Sequence, residues 1–479
     1  MRRVSVTVLA SIVALLTAGC RPQSGDPAVG LTPNSRLVIG FGLTTGQSAE
    51  AGIEQVIQNL TLEALVSLGR DGRPVAWLAE GWESSPDGLA LRVQLKPGVR
   101  FHDGTPLTAT TVASVLSKRL PTALGPAMEQ IESIRARSET ELEFSLRRPS
   151  RFVIEALYVP IQDPSSSAGT GPFQVTTRSA DQVDLVANPH HHAGKPAIDN
   201  VQIRGFSSVR AAWADMLRGD VDVLYEVGAD ALEFLKPSDQ VKLFTFPRTY
   251  AYAVVINVNK PYLRDRRFRQ QLNAAVDRGA LIRDVLGGLG RPAGGSVWPD
   301  HWAYDSSLPS FGYAPSRVQS AIPRLKLLTT EPSHERMALV VQQQLGQVGV
   351  TVELESATLD LALGRVQTGD FDLFLADIGL GPTLGRANLF WRSGSPYNVG
   401  GYSSSEVDQA LDAIQGAVAD DAYREGVAAF QRAIVDDPPA IFLAWSERAR
   451  AVSTRFEVPV EPNRDVLSIL RLWKPAASD

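Results

Sequence analysis

Leu89, Leu91, Val93 and Leu95 alternate with Ala90, Arg92, Gln94 and Lys96, a period of two that predicts a strand with one buried face. Pro97-Gly98 and then Asp103-Gly104 supply turns, because Pro fixes φ and Gly accepts a positive one. Thr108 stands where its hydroxyl can cap a following helix. Val112, Val115 and Leu116 line one face of that helix, which Pro121 is expected to end. Leu142, Phe144 and Leu146 repeat the strand period, and Leu37-Val38-Ile39 opens the globular part as a short strand.

Two distant segments share one design. The first runs from strand Val201–Ile203 through a helix with Trp213, Met216 and Leu217 to Gly219-Asp220-Val221-Asp222-Val223. The second runs from Val350, Val352 and Leu354 through a helix with Leu359, Leu363 and Val366 to Gly369-Asp370-Phe371-Asp372-Leu373. Each glycine stands where a helix end needs a left-handed residue, and each apolar run re-enters a sheet. The copies lie too far apart for a solenoid, so they predict two similar α/β lobes. Amphipathic stripes at Met337, Val340, Val341 and Leu345, and at Phe268, Leu272, Ala275 and Val276, read as core faces.

The chain has 479 residues, 44% hydrophobic and 21% charged, which are globular proportions and allow several domains. Its formal net charge of −5 gives no footprint for nucleic acid. Arg2 and Arg3, the apolar run Val4–Ala18 and the small pair Ala18-Gly19 read as a signal peptide over 1–19. The single cysteine, Cys20, follows at once and cannot form an internal disulfide. The stretch resembles a bacterial lipobox, with Thr17 in a place usually held by Leu, and the resemblance implies acylation of Cys20. Residues 20–36 then form a lipidated start and flexible tether, with a reach of roughly 20 Å.

The sequence resembles the family-5 extracellular solute-binding proteins, the peptide- and nickel-binding class of ABC importers. The resemblance rests first on Leu65-Val66, Asp71-Gly72-Arg73-Pro74 and Leu78-Ala79-Glu80-Gly81-Trp82. It continues through Asp87-Gly88 and the run Lys96-Pro97-Gly98-Val99-Arg100-Phe101-His102-Asp103-Gly104-Thr105-Pro106-Leu107-Thr108-Ala109. Gly169-Thr170-Gly171-Pro172-Phe173, Asn188-Pro189 to Pro196, Arg269-Gln270 to Asp277-Arg278, Asn398–Tyr402 and Asp408 add to it. The resemblance implies an α/β, two-lobed, periplasmic-binding-protein-like fold with a hinge and an inserted subdomain in the first lobe. Lobe I would take 37–50, 168–250 and 446–479, the inserted subdomain 51–167, and lobe II 251–445. Hinge strands would fall near Tyr252–Asn257 and Ile441–Trp445.

It also implies no enzyme and no cofactor. The expected protein is a monomer on the extracytoplasmic face, held to the membrane by its lipid alone. It would capture a small solute, a peptide foremost, and deliver it to an ABC transporter permease. Nickel, metallophore, opine or sugar ligands stay open, as does a sensing lipoprotein uncoupled from transport. The family's cleft receives the segment Asp377 to Tyr402, which offers Asp377, Arg386, Asn388, Trp391, Tyr397 and Asn398. Peptide binders of the family carry an acidic residue before a Pro here, whereas this chain has Gly381 before Pro382, so Asp377 would anchor a ligand amine only if the loop shifts. Arg386 could pair a ligand carboxylate or stand on the surface, and Trp391 could be a stacking wall or core. Tyr250 and Tyr252, beside the expected hinge, and Thr44 and Thr45, after the first strand, complete the candidate contacts; Trp298 and Trp302 lie in a Gly/Pro-rich loop. His190-His191-His192 reads as a solvated loop and not a metal site, because adjacent residues do not easily face one ion. His102-Asp103 reads as a turn, and no catalytic constellation stands out.

Overall fold

Two long strands, Val241–Ile256 and Ala440–Ser453, run antiparallel through the middle of an eleven-stranded sheet. The computed structural model describes residues 35–42, 47–227, 239–318, 322–330, 334–461 and 464–477, with the backbone alone for 47–51. Cys20, Thr44 and Thr45, and with them the signal, lipid and tether expectations, lie outside the described residues.

On one side of the long pair lie Val223–Leu224, Arg36–Gly42, Asn200–Phe206, Gln182–Ala187 and Phe173–Arg178. On the other lie Leu373–Gly379, Leu325–Thr330 and Val352–Ala357. Val241–Pro247 pairs with Glu447–Ser453 in the first half, and Ala251–Val255 pairs with Ala440–Trp445 in the second. The register slips between Pro247 and Ala251 and again between Tyr252 and Ala253, irregularities of the kind that bend and twist a ribbon. The crossing strands therefore extend well beyond the stretches expected at Tyr252–Asn257 and Ile441–Trp445.

The two repeated segments are built alike. Arg36–Gly42 lies parallel to both Asn200–Phe206 and Val223–Leu224, and Leu325–Thr330 lies parallel to both Val352–Ala357 and Leu373–Gly379. Gly219 and Gly369 take φ of 81° and 71° at the helix ends, as the sequence requires. The second aspartate of each copy is buried and accepts a backbone N–H from the adjoining strand. Asp222 takes it from Val38 at 2.8 Å and Asp372 from Lys326 at 2.9 Å. A polar side chain thus satisfies a backbone donor near the start of a parallel strand, which would otherwise be orphaned in the core.

The inserted segment forms a four-stranded antiparallel sheet in the order Ala79–Ser84, Ala90–Leu95, Glu141–Leu146, Ile131–Ala136. Leu91, Val93 and Leu95 are buried as the alternation predicts, while Leu89 precedes the strand and is 39% exposed. Thr108 caps the helix Ala109–Leu124, accepting from Thr111 N at 3.2 Å. Pro121 does not end that helix. It sits in the last turn, where its missing N–H removes a single bond, and its carbonyl still accepts from Gly125 N.

This subdomain shares a hydrophobic core with the second lobe. Phe152, Val153 and Leu157 join a buried cluster that includes Leu384, Ala387, Trp391 and Leu411, each large apolar side chain contributing about 1.5–3 kcal/mol by burial. Arg151 pairs with Asp420, Arg73 lies 3.2 Å from Asp420, and Trp302 N donates to Asp71 O at 3.0 Å. Separate cores fill the first lobe around Leu37, Ile203 and Trp473 and the far face of the second around Val254, Leu327 and Val341. No helix of the described residues is long and apolar enough to cross a membrane.

Candidate functional site

The strand Val241–Ile256 changes character along its length. Arg248, Tyr250 and Tyr252 recur at every second position just before the buried run to Ile256, which places them on one face where the ribbon passes between lobes. Tyr252 stands directly opposite Asp377 on the neighbouring strand, and Tyr250 opposite Gly379. Arg248 reaches over them. Its guanidinium lies 4.2 Å from the Tyr250 ring centroid, 3.2 Å from Asp377 Oδ2 and 3.5 Å from Ser446 Oγ. The other carboxylate oxygen, Asp377 Oδ1, is buried and has no hydrogen-bond partner among the described residues.

The partner strand supplies a second arginine. Arg448 pairs with Glu226 of the first lobe. Burial works against its charge, but Glu226, Tyr252, Asp377 and Tyr225 together hold its pKa above the ordinary value. Burial also raises the Tyr252 phenol, and it lowers His334, whose ring stands edge-on to Tyr252 at 5.9 Å. Arg450, next along the same strand, lies 3.9 Å from the Tyr225 ring and 2.8 Å from Asp465. Tyr225 in turn stacks on Phe41 at 4.5 Å. The crossing is therefore lined by alternating cations, carboxylates and aromatic faces drawn from both lobes. Such a surface can hold a small molecule carrying both charges and an apolar body.

The loop after Gly379 closes onto this surface. Gly381 N donates to Thr249 O at 3.0 Å, and the Gly381-Pro382 peptide bond is cis. A Cβ at Gly381 would meet the Trp298 side chain at 3.3 Å. Trp298 Nε1 and Trp445 Nε1 are buried without hydrogen-bond partners among the described residues. Arg291 grips Asp300 with two bonds of 2.8 Å and approaches Glu447 at 3.4 Å.

Of the sequence candidates among the described residues, the structure brings Tyr250, Tyr252 and Asp377 together and places Arg386, Asn388, Trp391, Tyr397 and Asn398 elsewhere. Asn388 is fully buried, and its Oδ1 accepts from Arg392 Nε at 2.6 Å. Trp391 is core rather than wall: its indole donates to Ser296 Oγ at 2.7 Å and packs edge-on to Phe442. Asn398 staples its own loop, donating to Tyr402 O at 2.6 Å and Arg392 O at 3.0 Å. Tyr397 is 40% exposed against Phe390, and Arg386 is half-buried on the helix Leu384–Trp391. The helix Leu384–Trp391 carries Asn388 and Trp391 into the core, while Tyr397 and Asn398 lie in the loop beyond it. The sequence reading missed Arg248, Arg448, Glu226 and His334. The signal for the arginines was the alternation itself, in Arg248-Thr249-Tyr250-Ala251-Tyr252 and in Ser446-Glu447-Arg448-Ala449-Arg450.

The histidine run departs from expectation. His190 is exposed, but His191 is buried and His192 half-buried, and both Nε2 atoms face Glu63. Burial opposes the Glu63 charge, yet the two imidazoles hold its pKa down to about 2.

A family model described as bacterial extracellular solute-binding proteins, family 5 Middle, matches residues 73–400. The probable D,D-dipeptide-binding periplasmic protein DdpA of Escherichia coli K12 is 24% identical over 410 residues, covering 76% of this chain and 78% of its own. The oligopeptide-binding protein AppA of Bacillus subtilis is 24% identical over 512 residues, covering 95% and 93%. Among solved structures, NikZ from Campylobacter jejuni in complex with Ni(L-His) superposes with a TM-score of 0.77 at 18% identity, covering 92% of this chain and all of that one. AppA from Bacillus subtilis in complex with a nonapeptide gives 0.75 at 21% identity, with 93% of this chain covered and all of that one.

Proposed function

We infer, for a chain that belongs to the bacterial extracellular solute-binding proteins of family 5, that it captures a small peptide between its two lobes and delivers it to an ABC transporter permease. The observation that carries the choice of site is the pairing of Arg248 with Asp377 at the inter-lobe crossing, beside a carboxylate oxygen that has no partner of its own. A peptide brings an amine for that oxygen and a carboxylate for an arginine. Tyr250 supplies aromatic surface beneath the ligand body, and Tyr252, buried in the adjoining core, backs it. Contacts to both lobes form only on closure, so the ligand draws the population toward the closed form, which a permease can distinguish. No bond in the solute is made or broken. The named peptide binders among the relatives support this reading.

The protein's place is extracytoplasmic, as for its family. Its proposed attachment is a lipid on Cys20, supported by the signal-like residues before it. Calorimetric titration of the tag-free protein with a di- to nonapeptide panel tests the solute class. Micromolar or tighter binding that Asp377→Ala weakens supports it. Binding of a nickel–histidine complex with no peptide binding would replace it with the metal-complex reading. Mass spectrometry of the mature N-terminus, with and without Cys20→Ser, tests the anchor.

A further inference from the structure

Away from the crossing, three nitrogens converge on one oxygen. Glu63 follows the helix Gln47–Thr61 and is held in place by its backbone bridge to Ile161. Its Oε1 lies 2.9 Å from His191 Nε2, 3.2 Å from His192 Nε2 and 2.8 Å from Trp77 Nε1. A carboxylate oxygen offers two lone pairs, so it does not accept well from all three nitrogens at once. The far side of the His191 ring adds a second constraint. Its Nδ1 lies 3.3 Å from Gly194 O, and a carbonyl only accepts. A proton on Nδ1 leaves a neutral ring with its Nε2 lone pair aimed at a carboxylate. Two acceptors facing each other at 2.9 Å need a cation between them, either a second ring proton or a metal ion.

We propose that Glu63, His191 and His192 form a binding site for a divalent transition-metal cation, zinc or nickel. The three ligand atoms lie within 4.8 Å of one another. Donors around a tetrahedral ion at about 2.0–2.1 Å stand about 3.3 Å apart, close to the two separations already present between carboxylate and imidazoles. Two imidazoles and one carboxylate suit zinc or nickel far better than magnesium or calcium. The outer contacts are also those of a built site: Thr170 Oγ1 donates to Glu63 Oε2 at 2.8 Å, Trp77 holds Oε1, and the Gly194 carbonyl orients His191. His192 is half-buried, which leaves a side for the ion to enter and for water to complete its coordination. Bound there, the ion would clasp the start of the inserted subdomain to the loop 188–194 of the first lobe. The site is independent of the inter-lobe crossing and of the solute reading.

The test uses the mature chain without a polyhistidine tag, loaded with zinc or nickel chloride alone, dialysed and assayed by elemental mass spectrometry. One equivalent is expected to stay bound. His192→Gln and Glu63→Gln should each weaken it at least about tenfold, while Asp377→Ala leaves it unchanged. X-ray absorption on the unsubstituted protein should show two imidazoles and oxygen donors, which keeps the site testable if a variant fails to fold. A folded protein that dialyses free of metal overturns the proposal. So does metal retained in full by His192→Gln, or uptake that needs added free histidine and is lost in Asp377→Ala.

Discussion

Arg248 and Asp377 meet across neighbouring strands at 3.2 Å, at the point where the ribbon leaves one lobe for the other. The pair is three-quarters covered by protein, so neither charge is freely hydrated. Asp377→Asn keeps the shape and removes the charge. It should weaken binding of an amine-bearing peptide by about 1.5–3 kcal/mol, the range for a hydrogen bond to a charged group. Isothermal calorimetry checks this, and unchanged affinity would take Asp377 out of the site.

Glu155 predicts a pH dependence. It is buried at the seam between the inserted subdomain and the second lobe, accepting from Tyr423 OH at 2.7 Å and Gly385 N at 3.3 Å. Burial outweighs these bonds and raises its pKa from 4.5 to about 7. Between those values the folded protein holds a proton that the unfolded chain releases. Stability from this group is therefore present below pH 4.5 and fades as pH rises to 7, by an amount on the order of 3 kcal/mol. Glu155→Gln should flatten that part of the melting-temperature profile between about pH 4.5 and 7. A profile identical to that of the unsubstituted protein would refute the assignment.

Asp372 governs Tyr262. The phenol donates to Asp372 Oδ1 at 2.7 Å, and burial, then the bond and the charge, raise its pKa to about 12. Asp372→Asn should bring the tyrosinate transition down part of the way toward 10, read by ultraviolet absorbance against pH. The same change should lower stability by about 1–3 kcal/mol, because the Lys326 N–H loses a charged acceptor.

Gly169 meets Thr61 more closely than any side chain allows. A Cβ there would stand 1.9 Å from Thr61 O, whereas at Gly81 it would meet nothing within 4 Å. Gly169→Ala should cost about 1–3 kcal/mol by overpacking, and Gly81→Ala far less. Denaturant midpoints compare the two.

Much of the scaffold was legible because period and turn chemistry agree. The strand at Leu91–Leu95, the cap at Thr108 and the left-handed glycines at 219 and 369 all follow from local rules. The two Gly-Asp-x-Asp segments disclosed the paired lobes for the same reason. The length of the crossing strands was not legible, since Arg248, Arg448 and Arg450 interrupt what hydrophobicity would mark as buried strand. Their charges are satisfied by Asp377, Glu226 and Asp465, and nothing in local sequence announces those partners. Trp391 and Asn388 misled in the opposite direction: a helix turns both inward, and only tertiary packing decides that. The burial of His191 beside Glu63 likewise depends on a contact between segments far apart in the chain.

A sheet that passes unbroken through both halves limits how the molecule can be dissected. Severing the chain at the crossing would leave each fragment with a bare, hydrogen-bond-hungry border where Val241–Ile256 or Ala440–Ser453 had lain. Either fragment, expressed alone, should clump through that border rather than persist as a free-standing half.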